Sequence, residues 1–249
     1  MELEQHVASF RRELAALTAA AGAAALDAPV PTCPEWDVAD LLTHTAQVHN
    51  WARMNVERGD PAARARFREL PAAPEQDRLL EWFSSGGARL AATLESAPAD
   101  RAVWTFAPPR EARFWARRVH HETAIHRLDA ELAAGREPTP FGIDAALDGV
   151  DEVLVNMAHR PSGAIPRGAG ETLHFHATDA PARGEDGGWV VQLTSDGPSV
   201  TREHAKGDAA VRGAASGLFL FLWGRDPRVG LEVFGDQELL ARFRAEATV

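Results

Sequence analysis

The chain has 249 residues, which allows one large domain or two modest ones, and 45% of them are hydrophobic, enough for a substantial core. The net charge of −10 and the pI near 5.5 argue against nucleic acid or an anionic membrane as a partner. Cys33 is the only cysteine, so no intrachain disulfide can form, which suits a reducing cytoplasm.

The N-terminal segment MELEQHVASFRRELAAL is charged from its second residue and lacks the apolar core of a secretory signal peptide. No uninterrupted apolar run approaches the roughly 20 residues that cross a bilayer. The sequence therefore predicts a cytoplasmic protein without a membrane partner.

The first half of the chain has helical periodicity. Residues 2–26 carry an amphipathic stripe with apolar side chains three and four residues apart. The Pro-containing link APVPTCPEW follows, and Asp37 then resembles an N-cap, with Asp40 completing a variant of the capping box. This pattern predicts a second helix that runs to about Arg53, followed by a charged loop over residues 57–74.

The following apolar stripes predict three more helices. A third helix spans residues 79–94, with an interruption expected near Gly86-Gly87 because glycine weakens a helix interior. After a Pro-rich loop, a fourth helix is predicted at about 112–134 and a fifth at about 143–159. Four or five helices with a metal site in the interior of the bundle is a known arrangement.

The composition changes at residues 161–171, PSGAIPRGAGE, which predict a linker. Alternating apolar residues over 173–177 and 189–193 then predict two half-buried strands. GAASGLFLFLWGR predicts a buried helix, LEVFG a short strand, and DQELLARFRAEA a terminal helix capped by Asp236. The fold class is therefore an α-helical bundle over residues 1–160 followed, after the linker, by a small α+β domain over residues 172–249.

A candidate metal site comes from three residues on two of these helices. On the fourth helix, Glu122 and His126 share an apolar stripe with Trp115 and Val119, and on the second helix His44 shares one with Leu41, Val48 and Trp51. Stripes of this kind face a core. Burying a charged Glu and two imidazoles without partners would be costly, and a divalent metal bound by all three would remove that cost. Asp129, one turn after His126, is placed to orient a ligand imidazole or handle a proton.

The same pattern has simpler interpretations. A Glu and a His four residues apart can form an ordinary helix surface pair, and inward histidines can be satisfied by backbone carbonyls. His49 competes with His44 on the second helix, although it lies on a different stripe. His120 and His121 are adjacent, so at most one is expected to face the interior. The remaining histidines have no partner spacing and predict no site: His6, His159, His174, His176 and His204.

Two residues outside this cluster, Cys33 and Arg225, are further candidates for a role in catalysis or binding. Cys33 precedes a proline just before a helix, and nothing in the sequence activates it, which favours a structural role. Arg225 follows a strongly apolar helix and could bind a carboxylate, or could be a solvent-exposed turn residue.

At these residues the chain resembles the mycothiol-dependent maleylpyruvate isomerase family of actinobacteria, within the DinB-like metal-binding bundle superfamily. TCPEWDVADLLTHTAQVH resembles the family's second helix, and FWARRVHHETAIHRLDAE resembles the helix with its metal-binding Glu and His. AVRGAASGLFLFLWGRDP, followed by LEVFGDQELLARF, resembles the C-terminal sterol-carrier-like domain. The resemblance covers nearly the whole chain.

The resemblance implies metal ligands His44, Glu122 and His126 and active-site roles for Asp129 and Arg225. It also implies mycothiol as co-substrate. Three protein ligands leave room for a thiol, which bound Zn²⁺ would deprotonate near neutral pH. The thiolate would add to an activated double bond, permit rotation and leave again in an isomerase, or stay attached to its electrophile in an S-transferase. Arg225 would fix a substrate carboxylate.

Several alternatives remain open at this point. The protein could be a non-catalytic module whose second domain binds an apolar small molecule or lipid, or a hydrolase that uses metal-bound water. Two His and one carboxylate suit Zn²⁺, Ni²⁺, Fe²⁺ and Mn²⁺. The sequence fits either a monomer or a homodimer, with a small electrophile and a low-molecular-weight thiol as its partners.

Overall fold

The computed structural model describes residues 1–159, 165–181, 187–225 and 230–247. The chain divides into two compact units, Met1–Thr139 and Pro140–Val249. No helix in the described part combines the length and apolar character needed to cross a bilayer.

The first unit is a bundle of four helices: α1 (Leu3–Ala21), α2 (Val38–Arg58), α3 (Gln76–Ser96) and α4 (Ala112–Ala133). α4 packs against α1 and α2, and α3 packs against the same two helices. Almost every residue of α4 from Phe114 to Glu131 is buried, so this helix is covered on most of its sides. The predicted bundle of amphipathic helices is confirmed.

The capping residues of α2 are those that the sequence predicts. The Asp37 carboxylate accepts a hydrogen bond of 2.8 Å from the Asp40 amide, and the Asp40 carboxylate accepts one of 3.2 Å from the Asp37 amide. The helix runs past the expected end to Arg58, where Gly59 adopts a left-handed conformation with φ of 61°. A short 3₁₀ turn, Phe67–Glu69, interrupts the loop that follows.

The predicted interruption of α3 at Gly86-Gly87 is wrong, because the helix is continuous through both glycines. A Cβ atom at Gly87 would lie only 2.5 Å from Leu14 Cδ1. Gly87 therefore allows α1 and α3 to approach closely, and this packing outweighs the weak helix propensity of glycine.

The second unit begins with α5 (Ile143–Asp151), which continues as a π-helical turn, Glu152–Asn156, and a 3₁₀ turn, Met157–His159. The sequence placed this helix at the end of the bundle, whereas here it belongs to the second unit and packs against α6 (Ala215–Leu222). The domain boundary at 161–171 stays a prediction, because residues 161–164 lie outside the described residues.

A five-stranded sheet forms the rest of this unit, with strands β1 (Thr172–Ala177), β2 (Gly188–Thr194), β3 (Gly197–Thr201), β4 (Ala209–Gly213) and β5 (Glu232–Gly235). The strand order is β3-β2-β1-β4-β5, with β1 and β4 parallel and the other pairs antiparallel. β3 and β4 are additions to the prediction.

One face of the sheet is apolar, as the alternation predicts. Leu173 and Phe175 are buried, and the Phe175 ring lies 5.6 Å from that of Phe243 on α7 (Gln237–Glu246) and 6.3 Å from that of Phe221 on α6. Asp236 caps α7 as predicted, accepting hydrogen bonds from two amides of its first turn. The predicted class, a helical bundle followed by an α+β region, is confirmed.

Candidate metal site

The site begins with the buried stripe of α4. Trp115, Val119, Glu122, His126 and Asp129 are all buried, so the spacing of 4, 3, 4 and 3 residues correctly predicts the inward face of this helix. Three of these five side chains can carry charge, and such groups are rarely buried without partners. The contacts of Glu122, His126 and Asp129 therefore decide whether this face of α4 can bind a metal ion.

The three predicted ligand residues come together in the structure. Glu122 Oε1 lies 3.1 Å from His44 Nε2 and 3.2 Å from His126 Nε2. One donor atom from each of the three side chains lies within 4.8 Å of the others. The rings of His44 and His126 meet edge to face, with centroids 5.2 Å apart. Two imidazole nitrogens and a carboxylate oxygen thus converge on one point from α2 and α4.

The second oxygen of Glu122 faces a buried cation. Arg118, one turn earlier on α4, donates a hydrogen bond to Glu122 Oε2. Burial would raise the pKa of Glu122, but the charge of Arg118 and hydrogen bonds from His126 and His44 hold it well below the usual value. The carboxylate is therefore ionised, and one of its oxygens remains directed at the imidazoles.

Asp129 fixes the orientation of His126. Its Oδ2 lies 2.9 Å from His126 Nδ1, and Thr32 Oγ1 donates a hydrogen bond of 2.6 Å to its other oxygen. With Nδ1 bound to Asp129, the Nε2 atom of His126 is the one directed at Glu122. Burial would lower the pKa of His126, but Asp129 and Glu122 raise it to about 9. The structure therefore places Asp129 against His126, and its predicted role, to orient this imidazole or to handle a proton, stays a prediction.

The link between α1 and α2 supplies neighbours that the sequence did not identify as site residues. Backbone hydrogen bonds from Cys33 to Val30 and from Trp36 to Cys33 fold this link into a compact turn. The ring centroid of Trp36 lies 4.8 Å from that of His44 and 5.9 Å from that of His126. The Cys33 thiol lies 3.9 Å from Asp129 Oδ2. The segment PTCPEW therefore covers the cluster as well as preceding a helix.

His44 is more exposed than its stripe predicts, with a side-chain exposure of 40%. Of its stripe, Leu41 is fully buried, whereas Val48 and Trp51 are only partly buried. The inner face of α2 is instead formed by Leu42, Thr45, Ala46 and His49. The interpretation of His44 as an inward residue is corrected: it lies at the edge of the bundle, which leaves one side of the cluster open to solvent.

His49, the competing histidine of α2, is a core residue outside the cluster. Its Nε2 lies 2.9 Å from Thr123 Oγ1, and its ring packs edge-on against Phe10 with centroids 5.0 Å apart. Burial lowers its pKa to about 3, so the ring is neutral at physiological pH. Its Nδ1 has no hydrogen-bond partner within the described ranges.

Two further groups of histidines were missed by the sequence. His120 and His121 are both buried, which contradicts the expectation that at most one faces the interior, because α4 is enclosed on most sides. His6 Nδ1 lies 3.1 Å from His120 Nδ1, and these three histidines form a second cluster. His174, His176 and His204 form a third, in the second unit. Spacing along the chain gave no signal, since each cluster joins distant segments.

Arg225 follows α6 in the second unit. Its guanidinium donates a hydrogen bond of 3.0 Å to the Trp223 carbonyl, and its amide donates one of 2.9 Å to the Leu220 carbonyl. These bonds satisfy carbonyls at the end of the helix. The predicted role of Arg225 with a substrate carboxylate stays a prediction, and Asp226 to Val229 lie outside the described residues.

Comparisons with known proteins agree with this architecture. The family model described as "Mycothiol maleylpyruvate isomerase N-terminal domain" matches residues 7–131, and that described as "MDMPI C-terminal domain" matches residues 144–242. No curated protein sequence matches the chain.

Two solved structures have the same fold. The crystal structure of the mycothiol-dependent maleylpyruvate isomerase is 14% identical, and that of a mutant of this enzyme is 13% identical. Both have a TM-score of 0.64, and the superposition covers 94% of this chain and 93% of each relative. At this identity the likeness shows the fold alone. Since the first family model covers half of the chain and the second follows it in order, this chain belongs to the mycothiol maleylpyruvate isomerase family.

Proposed function

We propose that this protein is a metal-dependent enzyme that uses a low-molecular-weight thiol, mycothiol, as co-substrate and acts on a small electrophile as an isomerase or S-transferase. The convergence of His44, Glu122 and His126, with one side open to solvent, carries this proposal. Membership of the family supplies the thiol and the substrate class.

The donor set fits a divalent transition metal. Two imidazoles and a carboxylate are ligands of Zn²⁺, Fe²⁺, Ni²⁺ and Mn²⁺, with Zn²⁺ the first candidate. Glu122 binds Arg118 through one oxygen, so its other oxygen can act as a single ligand atom. The half-exposed His44 leaves space for a further ligand from solution. A bound metal would supply Lewis-acid activation that makes a coordinated thiol nucleophilic near neutral pH.

The remaining side chains hold this geometry. Asp129 fixes the ring of His126, and Thr32 in turn fixes Asp129. Trp36 packs beside both imidazoles and covers one side of the pair. Arg225 is proposed to bind a carboxylate of the substrate, as a guanidinium does in two-point recognition. The enzyme is further proposed to act in the cytoplasm as a monomer or homodimer.

The first substrate to test is maleylpyruvate, because the relatives of known structure are named for it. The purified protein is analysed for metal by plasma mass spectrometry and assayed with maleylpyruvate, with and without mycothiol. We expect near-stoichiometric metal at the bundle site and activity that requires the thiol. Activity without thiol would favour the hydrolase alternative and contradict the thiol dependence.

The variant His44→Ala tests the site, since this side chain is half exposed and its removal should spare the fold. We expect it to lose the bundle metal and the activity together. Gln47→Ala, on the same helix but outside the cluster, is the control and should keep both. A metal-loaded and fully active His44→Ala protein would overturn the proposal.

A further inference from the structure

The second unit carries three histidines on one side of its sheet. His174 and His176 alternate with the buried Leu173 and Phe175 along β1, so both imidazoles lie on the face opposite the apolar core. His204 lies in the segment between β3 and β4. Its ring centroid lies 4.9 Å from that of His174 and 4.6 Å from that of His176. Strand geometry and one loop thus bring the three rings together.

The nitrogens of these rings lie close enough to one another to bind one metal ion, and two of them have no hydrogen-bond partner among the described residues. One nitrogen from each ring lies within 4.8 Å of the others. His174 Nε2 and His176 Nδ1 are buried and have no hydrogen-bond partner among the described residues. Buried polar atoms without partners are uncommon and call for an explanation such as an ion. A shared metal ion would satisfy ring nitrogens that the protein itself leaves unpaired.

The surroundings admit an ion from solution. The rings line a cleft of about 280 Å³ whose other walls include Ala210, Arg212 and Phe234. Arg212 on β4 pairs with His176 on β1, and its guanidinium donates a hydrogen bond of 3.2 Å to the Glu232 carboxylate.

We propose that His174, His176 and His204 form a second divalent-metal site, which binds Zn²⁺ through three imidazoles and leaves a coordination position open. Zn–N bonds of about 2.0–2.1 Å place two tetrahedral ligand atoms about 3.3 Å apart, so nitrogens that lie within 4.8 Å of one another would move closer on binding. Among divalent ions, nitrogen donors without carboxylates favour Cu²⁺, Ni²⁺ and Zn²⁺ over Mg²⁺, Ca²⁺ and Mn²⁺.

Binding at this site has a structural consequence. His204 is exposed, in the segment that joins β3 to β4, whereas His174 and His176 are fixed on β1. An ion held by all three would therefore tie this segment to β1. Since the intact cluster exists only in the folded chain, Zn²⁺ should raise the melting temperature of the protein.

The test uses the full chain, stripped of metal by a chelator and titrated with Zn²⁺ by calorimetry, with metal content checked by plasma mass spectrometry. Four proteins separate the two sites: the wild type, His44→Ala, His204→Ala and the double variant. We expect His204→Ala to lose one equivalent of Zn²⁺ relative to its parent in both backgrounds. The result is thus independent of whether the bundle site binds a metal.

Two more variants make the test specific. His176→Gln, on the strand, should lose the same equivalent as His204→Ala. Lys206→Ala, two residues from His204 on the same exposed segment, should bind Zn²⁺ as its parent does. The proposal is overturned if His204→Ala and His176→Gln bind as much Zn²⁺ as the wild type, with unchanged affinity and unchanged thermal stabilisation.

Discussion

The bundle and the sheet each contain a cluster of histidines, but the side chains in contact with the imidazole rings differ between the two clusters. In the bundle, His126 lies between the carboxylates of Asp129 and Glu122, and Thr32 and Arg118 hold those carboxylates in turn. On the sheet, the rings of His174, His176 and His204 face one another. Carboxylates fix the tautomer and direction of a ligand ring, whereas His174 Nε2 and His176 Nδ1 have no such partner among the described residues.

This difference also sets the affinity of the rings for protons. The carboxylates raise the pKa of His126 to about 9, while burial lowers the pKa of His174 and His176. A metal that enters the bundle site must therefore displace a proton from His126 at neutral pH, and its affinity should rise with pH up to about 9. At the sheet site the lowered pKa of His174 and His176 reduces this competition at those two rings.

The largest effect is expected for Glu122→Gln. This change removes the charge that Arg118, His44 and His126 all contact, and it leaves a buried guanidinium without its carboxylate. Breaking such a buried pair costs about 3–5 kcal/mol of stability. We expect no bundle metal and a loss of kcat/KM of at least about 100-fold, because losing even an outer-shell partner of a metal site costs up to that much.

The control for Glu122→Gln is within the same molecule, since Zn²⁺ bound by the sheet cluster should be unaffected. Full metal occupancy at the bundle in this variant would show that Glu122 is only the partner of Arg118.

Asp129→Asn tests whether the carboxylate acts through His126. The amide can still accept a hydrogen bond from Thr32 but carries no charge to support the imidazole. We expect a weakening of metal affinity of about 10- to 100-fold, measured by competition with a chelator. The pKa of His126 in the metal-free protein should fall as well, as followed by NMR. An unchanged pKa would contradict the positioning role.

His49 offers a test inside the bundle itself, because burial outweighs the attraction of the Glu122 carboxylate and lowers the pKa of this imidazole. Its pKa of about 3 in the folded protein lies below the ordinary histidine value of 6.5, so the unfolded chain takes up a proton first as the pH falls. The contribution of neutral His49 to the free energy of unfolding is therefore fully present above pH 6.5 and is lost progressively towards pH 3. At about pH 5 the loss is about 2 kcal/mol.

The variant His49→Gln removes this titration. Urea unfolding of the metal-free wild type and variant at neutral pH and at about pH 5 should show a smaller acid loss in the variant, by about 2 kcal/mol. An equal loss in both proteins would mean that His49 is protonated in the folded state.

The smallest effect is expected for Thr32→Val, which keeps the shape of the side chain and removes one hydrogen bond to Asp129. A bond to a charged group contributes about 1.5–3 kcal/mol, of which only part should pass on to the metal through His126. We expect metal affinity to weaken by less than in Asp129→Asn, measured by the same competition. An effect as large as that of Asp129→Asn would assign Thr32 a direct role.

Local patterns predicted the elements whose cause is local. The cap of α2 at Asp37 follows from hydrogen bonds within one turn, and the inward stripe of α4 follows from its periodicity. The predicted interruption of α3 is wrong because Gly87 makes room for the side chain of Leu14 on another helix, a contact that the sequence of α3 does not reveal. β3, an edge strand in which no residue is fully buried, has too weak an alternation to be recognised from sequence.

The candidate site shows the same division. Glu122, His126 and Asp129 could be identified together because one helix carries all three. The stripes of α2 favoured His44 over His49, and the structure places His44 beside Glu122 and His49 against Thr123. The exposure of His44 differs from the prediction, because it depends on the orientation of α2 against its neighbours. Trp36 and Thr32 were missed because a folded link, rather than a helix face, brings them to the site.

The amino-acid sequence by itself determined the order of helices and strands, the buried face of α4 and the family of the chain, since each depends on periodicity, caps or matched motifs along the chain. Only the tertiary structure decided which side chains meet. Thr32 against Asp129, Trp36 against His44 and the three histidines of the sheet are juxtaposed by packing and strand pairing. These contacts join distant segments of the chain through backbone geometry that no local spacing encodes.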